Sequence, residues 1–171
     1  ACAGCWCAWF LMTNKDFRES GKEGHKNTLR TLVQQDKEPG ILAYADGIPA
    51  GWVALAPREN YLRLKTSKLL AAVDDQPVWV ISCFYIRSGY RRQGMTEKLI
   101  QAAIEYAKTK KIKILEAFPI EASEKVSPIS IVRAKRVTVR TPFRNAPSYL
   151  RCMKNARTSP ARTGLLQLHL L

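Results

Sequence analysis

The sequence predicts an α/β fold built on one mixed sheet, and three observations carry that expectation. Two strand-like segments, 41–45 and 49–56, flank Asp46-Gly47. An apolar run covers 78–86. An amphipathic stretch over 96–110 and a second apolar run over 112–118 then follow in immediate succession.

Taken in order, residues 24–36 place Leu29, Leu32 and Val33 at helical spacing, with Lys, Arg and Gln elsewhere and Pro39-Gly40 closing the run. This is the pattern of an amphipathic helix. Asp46-Gly47 tolerates the positive φ angles of a tight turn, so the flanking segments are expected to pair as an antiparallel hairpin. Residues 57–75 are mixed and charged, with a short helix expected over Tyr61, Leu62 and Leu64. VWVISCFYI (78–86) is apolar along nearly its whole length, as in a central strand covered on both faces. Over 96–110, Leu99, Ile100, Ala103, Ile104 and Ala107 share one face and predict a crossover helix. IKILEAF (112–118), stopped by Pro119, predicts a strand parallel to 78–86, because a connection containing a helix returns right-handed to the same sheet.

Composition divides the chain in two. All 14 acidic residues precede residue 125, whereas 125–171 holds ten of the 28 Lys and Arg and no acid. A domain over 1–124 is therefore expected, followed by a basic segment over 125–171. No run approaches the length of a membrane span and the first residues carry no signal core, so a cytoplasmic protein with no membrane partner is expected. The five cysteines (Cys2, Cys5, Cys7, Cys83, Cys152) are odd in number and unevenly spread, which argues for reduced thiols over a disulfide framework.

Chemistry concentrates between the central strand and the crossover helix, at Arg87-Ser88-Gly89-Tyr90-Arg91-Arg92-Gln93-Gly94-Met95-Thr96. A loop opening onto a helix leaves backbone N–H groups without partners, and the helix dipole adds positive charge there. A phosphate suits such a place. Gly94 permits close backbone approach, Arg91 and Arg92 add charge, and Thr96 is read as a cap of the helix.

Ile86, Arg91 and Gly94 stand in the register of the pantetheine and pyrophosphate signature of the GNAT superfamily of acyl-CoA N-acyltransferases, which the chain resembles. The resemblance takes in GCWCAWF near the start, GWVALAPREN (51–60), VDDQPVWVISCF (73–84) and LEAFPI (115–120), and it covers roughly 1–128. A bacterial subgroup with an N-terminal Cys-Trp-Cys element is the nearest likeness. Relative to it, a first strand and the start of a first helix are expected upstream of Ala1. The resemblance implies direct transfer of an acetyl group from acetyl-CoA to a small-molecule or protein amine. It implies that the strands 78–86 and 112–118 splay apart, so that the backbone of Phe84, Tyr85 and Ile86 meets the pantetheine arm. A backbone N–H near Phe84 would act as oxyanion donor. Arg91, Arg92, Gln93, Gly94, Met95 and Thr96 would hold the pyrophosphate.

No catalytic residue is fixed by the sequence. Glu116 and Glu121 are candidate general bases, each weighed against an ordinary ion-paired carboxylate. Cys83 reads as core packing rather than as a nucleophile. Cys2, Cys5 and Cys7 with Trp6 and Trp9 read as an aromatic, partly buried strand that walls the acceptor pocket. Zinc normally takes four ligands, and no second Cys or His pair follows, so no metal is expected.

Nothing after Ser130 resembles the helix and two final strands of the superfamily, although VRAKRVTVRTPFRN contains a short strand-like alternation. A shifted reading frame or truncated gene is the first reading of this tail. A basic arm for nucleic acid or an acidic partner is the second, and a non-catalytic CoA-binding remnant is the alternative for the whole chain.

Overall fold

The computed structural model describes residues 4–118 together with the strands Val137–Arg140 and Leu166–Leu170. Six strands form one sheet: β1 (Gly40–Ala45), β2 (Ile48–Pro57), β3 (Val78–Ile86), β4 (Ile114–Ala117), β5 (Val137–Arg140) and β6 (Leu166–Leu170), in the spatial order β5-β4-β3-β2-β1-β6. β3 and β4 run parallel and every other neighbouring pair runs antiparallel. The mixed α/β sheet matches the sequence reading. Asp46 and Gly47, with φ of 52° and 74°, make the hairpin turn between β1 and β2.

Helix α3 (Met95–Thr109) crosses one face of the sheet. Its Leu99, Ile100, Ala103 and Ile104 pack on Val53, Leu55 and Ile81. Complete burial of a side chain such as Leu99 is worth roughly 1.5–3 kcal/mol. The helix begins one residue earlier than predicted, and β4 is shorter than 112–118 because Lys111, with φ 56°, and Ile112 still close the helix.

The other face carries α1 (Asn14–Gln34), α2 (Leu62–Thr66) and a 3-10 turn at Ala8–Phe10. Phe10, Tyr61, Leu64 and Leu70 pack there on Ala56 and Val80. Two expectations need correction on this face. α1 starts at Asn14 rather than at residue 24, in two pieces joined across a kink at Gly21, whose φ is 59°. Thr13 caps it by accepting from the Asp16 N–H at 3.1 Å. The Cys-Trp-Cys segment is not a strand: Trp6 and Cys7 are both left-handed, with φ of 48° and 53°, and lead into the 3-10 turn. His25 fixes that turn to α1, its ring nitrogens lying 2.7 Å from Gly4 O and 2.8 Å from Phe17 O.

A third correction concerns the C-terminal segment. Two strands do form after Ser130, and they pair with opposite edges of the sheet, β5 with β4 and β6 with β1. Val137–Arg140 lies inside the alternating stretch noted in the sequence. Leu166–Leu170 has the same period-two pattern. Among the described residues no helix is long and apolar enough to cross a membrane.

Candidate active site

β4 pairs with β3 only from Val78 to Ile81, so among the described residues Ser82–Ile86 of β3 have no strand neighbour on that side. On the other side β2 follows β3 to its end, with a register shift: Leu55 faces Ile81 whereas Ala54 faces Cys83, which leaves Ser82 as the extra residue of a β-bulge. The bulge therefore lies where β3 parts from β4.

Backbone direction beyond the bulge follows from one hydrogen bond. The Arg87 N–H donates to Ala50 O at 2.9 Å, so by the alternation of an antiparallel ladder Cys83 and Tyr85 also address β2. The N–H and C=O groups of Phe84 and Ile86 address the gap. Ile86 O accepts from Arg91 Nε at 2.9 Å, which ties the following loop back to the strand end. The Tyr85 backbone faces β2, and its side chain is half exposed.

After a 3-10 turn at Ser88–Tyr90 the chain reaches α3 through Arg91–Gly94. Arg92 and Gly94 are left-handed, with φ of 60° and 75°. Gly94 is the helix N-cap and supplies no side-chain oxygen, so the first N–H groups of α3 point outward without a cap. A Cβ at Gly94 would meet nothing within 4 Å, and the space before the helix start is open. Arg91 and Arg92 are exposed beside it, and Gln93 Nε2 donates to Gly89 O at 2.9 Å. Met95 is buried against Gly51, whose absent side chain lets the helix start sit on β2. Thr96 does not cap the helix as expected, since it lies two residues past the N-cap and inside the first turn. Of the nine residues predicted for the site, the structure thus brings Phe84, Ile86, Arg91, Gly94 and the start of α3 to one opening.

On the opposite face the bulge turns Ser82 and Cys83 toward residues the sequence reading had left apart. Ser82 Oγ donates to the Tyr61 hydroxyl at 3.2 Å, and that hydroxyl donates to Val80 O at 3.4 Å. Burial pushes the Tyr61 phenol up from its ordinary range. The neighbouring Cys83 side chain, then burial, pushes the Cys7 thiol up, while the neighbouring Cys7 holds Cys83 down. Trp52 lies beside Cys7, and its indole N–H completes no hydrogen bond of normal geometry among the described residues. Cys7, Trp52, Ala54 and Tyr61 line one groove with Leu29 and Leu32 of α1. Period alone would place Cys83 on the α3 face, which is why this cluster was not legible.

Glu116 is buried in β4 and forms an ion pair with Arg58, which also donates to Leu70 O. The ion-paired reading of this carboxylate is the one the geometry supports. Glu121 lies outside the described residues.

Several solved structures resemble the chain at low identity. The NatC complex bound to Gag peptide and CoA is 17% identical, with a TM-score of 0.40 over 55% of each chain, so the chain spans about half the length of that protein. AAC(6')-Iy in complex with the bisubstrate analogue CoA-S-monomethyl-acetylneamine is 16% identical, with a TM-score of 0.45 over 92% of this chain and 87% of that one. The PaiA N-acetyltransferase from Thermoplasma acidophilum in complex with coenzyme A is 12% identical, with a TM-score of 0.42 over 99% and 88%. No curated protein matches the sequence. The family model described as acetyltransferase (GNAT) family matches residues 6–126, well over half of the sequence, and spans β1 to β4 with the bulge and the loop before α3. The chain is a member of the GNAT acetyltransferase family.

Proposed function

We propose that the chain transfers an acetyl group from acetyl-CoA to a primary amine, by direct attack of the amine on the thioester. The observation that carries this reading is the opening between β3 and β4, which leads from the Phe84 backbone straight to the uncapped start of α3. Backbone groups inside a sheet are costly to leave unsatisfied, and an extended amide-containing chain such as pantetheine would complete the ladder at Phe84 and Ile86. Anionic phosphates suit the first N–H groups of α3, with Arg91, Arg92 and the side chains of Gln93 and Thr96 around them. As the amine adds to the thioester, negative charge grows on the carbonyl oxygen. In this reading the Phe84 N–H, held by the strand, serves as the oxyanion donor. Collapse of that intermediate breaks the C–S bond and expels the CoA thiolate, and the proton given up by the amine nitrogen balances the one that the thiolate takes up to leave as the thiol.

Acetyl-CoA binding by calorimetry tests the site, comparing the chain with Gly94→Ala and Gly94→Trp. Both substitutions carry the same backbone strain at a left-handed position, and only Trp fills the space before the helix. Binding that survives Ala and is lost with Trp supports the assignment. A folded chain that binds no acetyl-CoA overturns it, and binding with no transfer to any amine supports a non-catalytic CoA-binding protein instead.

A further inference from the structure

Acetyl transfer needs a way in for the amine as well as for the thioester. A thioester carbonyl that accepts from the Phe84 N–H completes the ladder, so its acyl plane lies in the sheet and its two sides look along the sheet normal. Helix α3 covers one of those sides, packed on Val53, Leu55 and Ile81. An amine adds at right angles to the acyl plane and therefore arrives from the α1 face.

On that face a groove runs over β2, with Trp52 and Ala54 of the strand below, Leu29 and Leu32 of α1 above, and Tyr61 in its wall. Trp52 pairs with Tyr85 and Val53 with Phe84, so one strand spacing, about 4.8 Å, separates this floor from the strand of the oxyanion donor. Tyr61 links groove and gap. Its hydroxyl gives its own proton to Val80 O, so in the 3.2 Å bond between the two hydroxyls Ser82 Oγ is the donor. Ser82 stands half-buried where β3 parts from β4, and among the described residues its oxygen accepts no hydrogen bond. A hydroxyl whose proton is committed in this way presents its lone pairs to an incoming N–H.

The groove is nearly uncharged. Among the described residues Lys37 and Glu38 are the charged ones that line it, and the Glu38 carboxylate already accepts from Tyr106 and pairs with Lys110. Beyond Glu124 the sequence holds no acid at all. A ligand with several ammonium groups would give up water there and gain no counter-charge. A single amine on an apolar body fits better, because burial favours its neutral form, the form that attacks.

Resting on the acetyl-transfer reading, we propose that this groove takes the acceptor, and that the acceptor is a monoamine on an aromatic or aliphatic body, of the phenethylamine kind, in place of a polyamine. The body lies between Trp52 and the two leucines of α1. The amine reaches over β3 to Ser82, which accepts one of its N–H groups and aims the nitrogen lone pair at the acyl carbon. The ammonium first gives one proton to solvent. The C–N bond then forms, the C–S bond breaks, and a second proton passes from the nitrogen to the departing CoA thiolate.

The test incubates the full chain with acetyl-CoA and either phenethylamine or spermidine, and reads the N-acetyl product by mass. Calorimetry on the same preparation reads acetyl-CoA binding. Phenethylamine should exceed spermidine in kcat/KM by about tenfold or more. Leu32→Trp, and Leu29→Trp as a second occlusion of the groove, should raise the phenethylamine KM by about tenfold with acetyl-CoA affinity unchanged. Ser82→Ala should lower kcat, and Ser82→Thr should restore part of it. Circular dichroism shows that each variant is folded. Spermidine as the better acceptor, indifference to both tryptophans, or acetyl-CoA bound with transfer to neither amine overturns the proposal. A folded chain that binds no acetyl-CoA overturns the acetyl-transfer reading, and the proposal with it.

Discussion

Arg63 holds Trp9 in two ways at once: its guanidinium lies 3.7 Å over the indole ring, and its Nε donates to the Trp9 carbonyl at 2.6 Å. Nη1 also donates to Asn14 Oδ1. One side chain of α2 thereby locks the 3-10 turn and the start of α1 onto the sheet. Replacement of Arg63 by Ala is expected to cost about 1–3 kcal/mol in urea denaturation, from the lost cation–π and hydrogen-bond contributions. Lys should recover only part, since its ammonium cannot stack and fork together. Acetyl-CoA affinity should hardly change, because the start of α3 is on the other face.

Gly51 sets how closely α3 approaches β2. A Cβ there would stand 3.0 Å from Met95 Cγ, 3.1 Å from Leu99 Cδ1 and 3.2 Å from Ile86 Cδ1. Flexible side-chain ends can yield a few tenths of an ångström, so Gly51→Ala should fold with a small loss. Gly51→Val should destabilise by about 1–3 kcal/mol through overpacking. Because Met95 opens α3, the Val variant should also lose acetyl-CoA affinity beyond what its stability explains, as measured by calorimetry below its melting temperature.

Glu116 and Arg58 are both largely withdrawn from water, with side-chain exposures of 5% and 13%. Removing one partner strands the other charge. Glu116→Ala is expected to cost roughly 3–5 kcal/mol, more than replacement of both residues by apolar ones of similar volume. If Glu116 were the general base instead, Glu116→Gln would abolish the acid limb of the acetyl-transfer pH profile, where a base is lost to protonation, in protein that still melts normally. The ion-paired role predicts an unchanged profile and a lowered melting temperature.

Glu38 links the segment before β1 to the end of α3. It accepts from the Tyr106 hydroxyl and pairs with Lys110 at 2.9 Å. The Tyr106 bond, then the Lys110 bond, lowers the Glu38 carboxyl below its usual range. Its contribution is therefore fully present above the unfolded carboxylate pKa, near 4, and is lost as pH falls through the lowered folded value. Burial first, then Glu38, raises Tyr106, and the bond to Glu38 leads the rise of Lys110. Stability from these two is present below their unfolded values, near 10, and is lost as pH rises through the folded ones. Glu38→Gln should flatten both limbs of a melting-temperature curve against pH. The effect should be small and salt-sensitive, since Glu38 and Lys110 are both partly exposed, at 38% and 43% of their side chains.

The parts of the fold legible in the sequence are those whose pattern is local. The α3 stripe, the two-faced apolar run of β3 and the Asp46-Gly47 turn each state their structure within a few residues. The first half of α1 lacks an apolar stripe, and its one clear signal, Thr13 with Asp16 three residues on, is a cap without a periodic run behind it. β5 and β6 are short, and nothing local names their partners. In the site, the loop from Arg91 to Gly94 was readable because a glycine and basic residues before a helix carry their own chemistry. The bulge at Ser82 was not, since one extra residue in a strand leaves no trace in composition. It decides at once which backbone groups face the gap beyond β4 and that Cys83 turns to the face that carries Cys7.

The two outermost strands have a consequence for how the molecule is made. Ile41 and Leu170 are neighbours across the sheet although about three quarters of the sequence separates them, and Leu115 waits for Val139. Until residues 166–170 leave the ribosome, β1 presents a bare edge of N–H and C=O groups, the kind of surface that recruits strands from other chains. Closing so distant a contact is slow relative to local hairpin formation. Nascent chains of this protein should therefore pass through a stage in which the sheet is open on at least one side, and yield in the cell should depend on how well chaperones shield that edge.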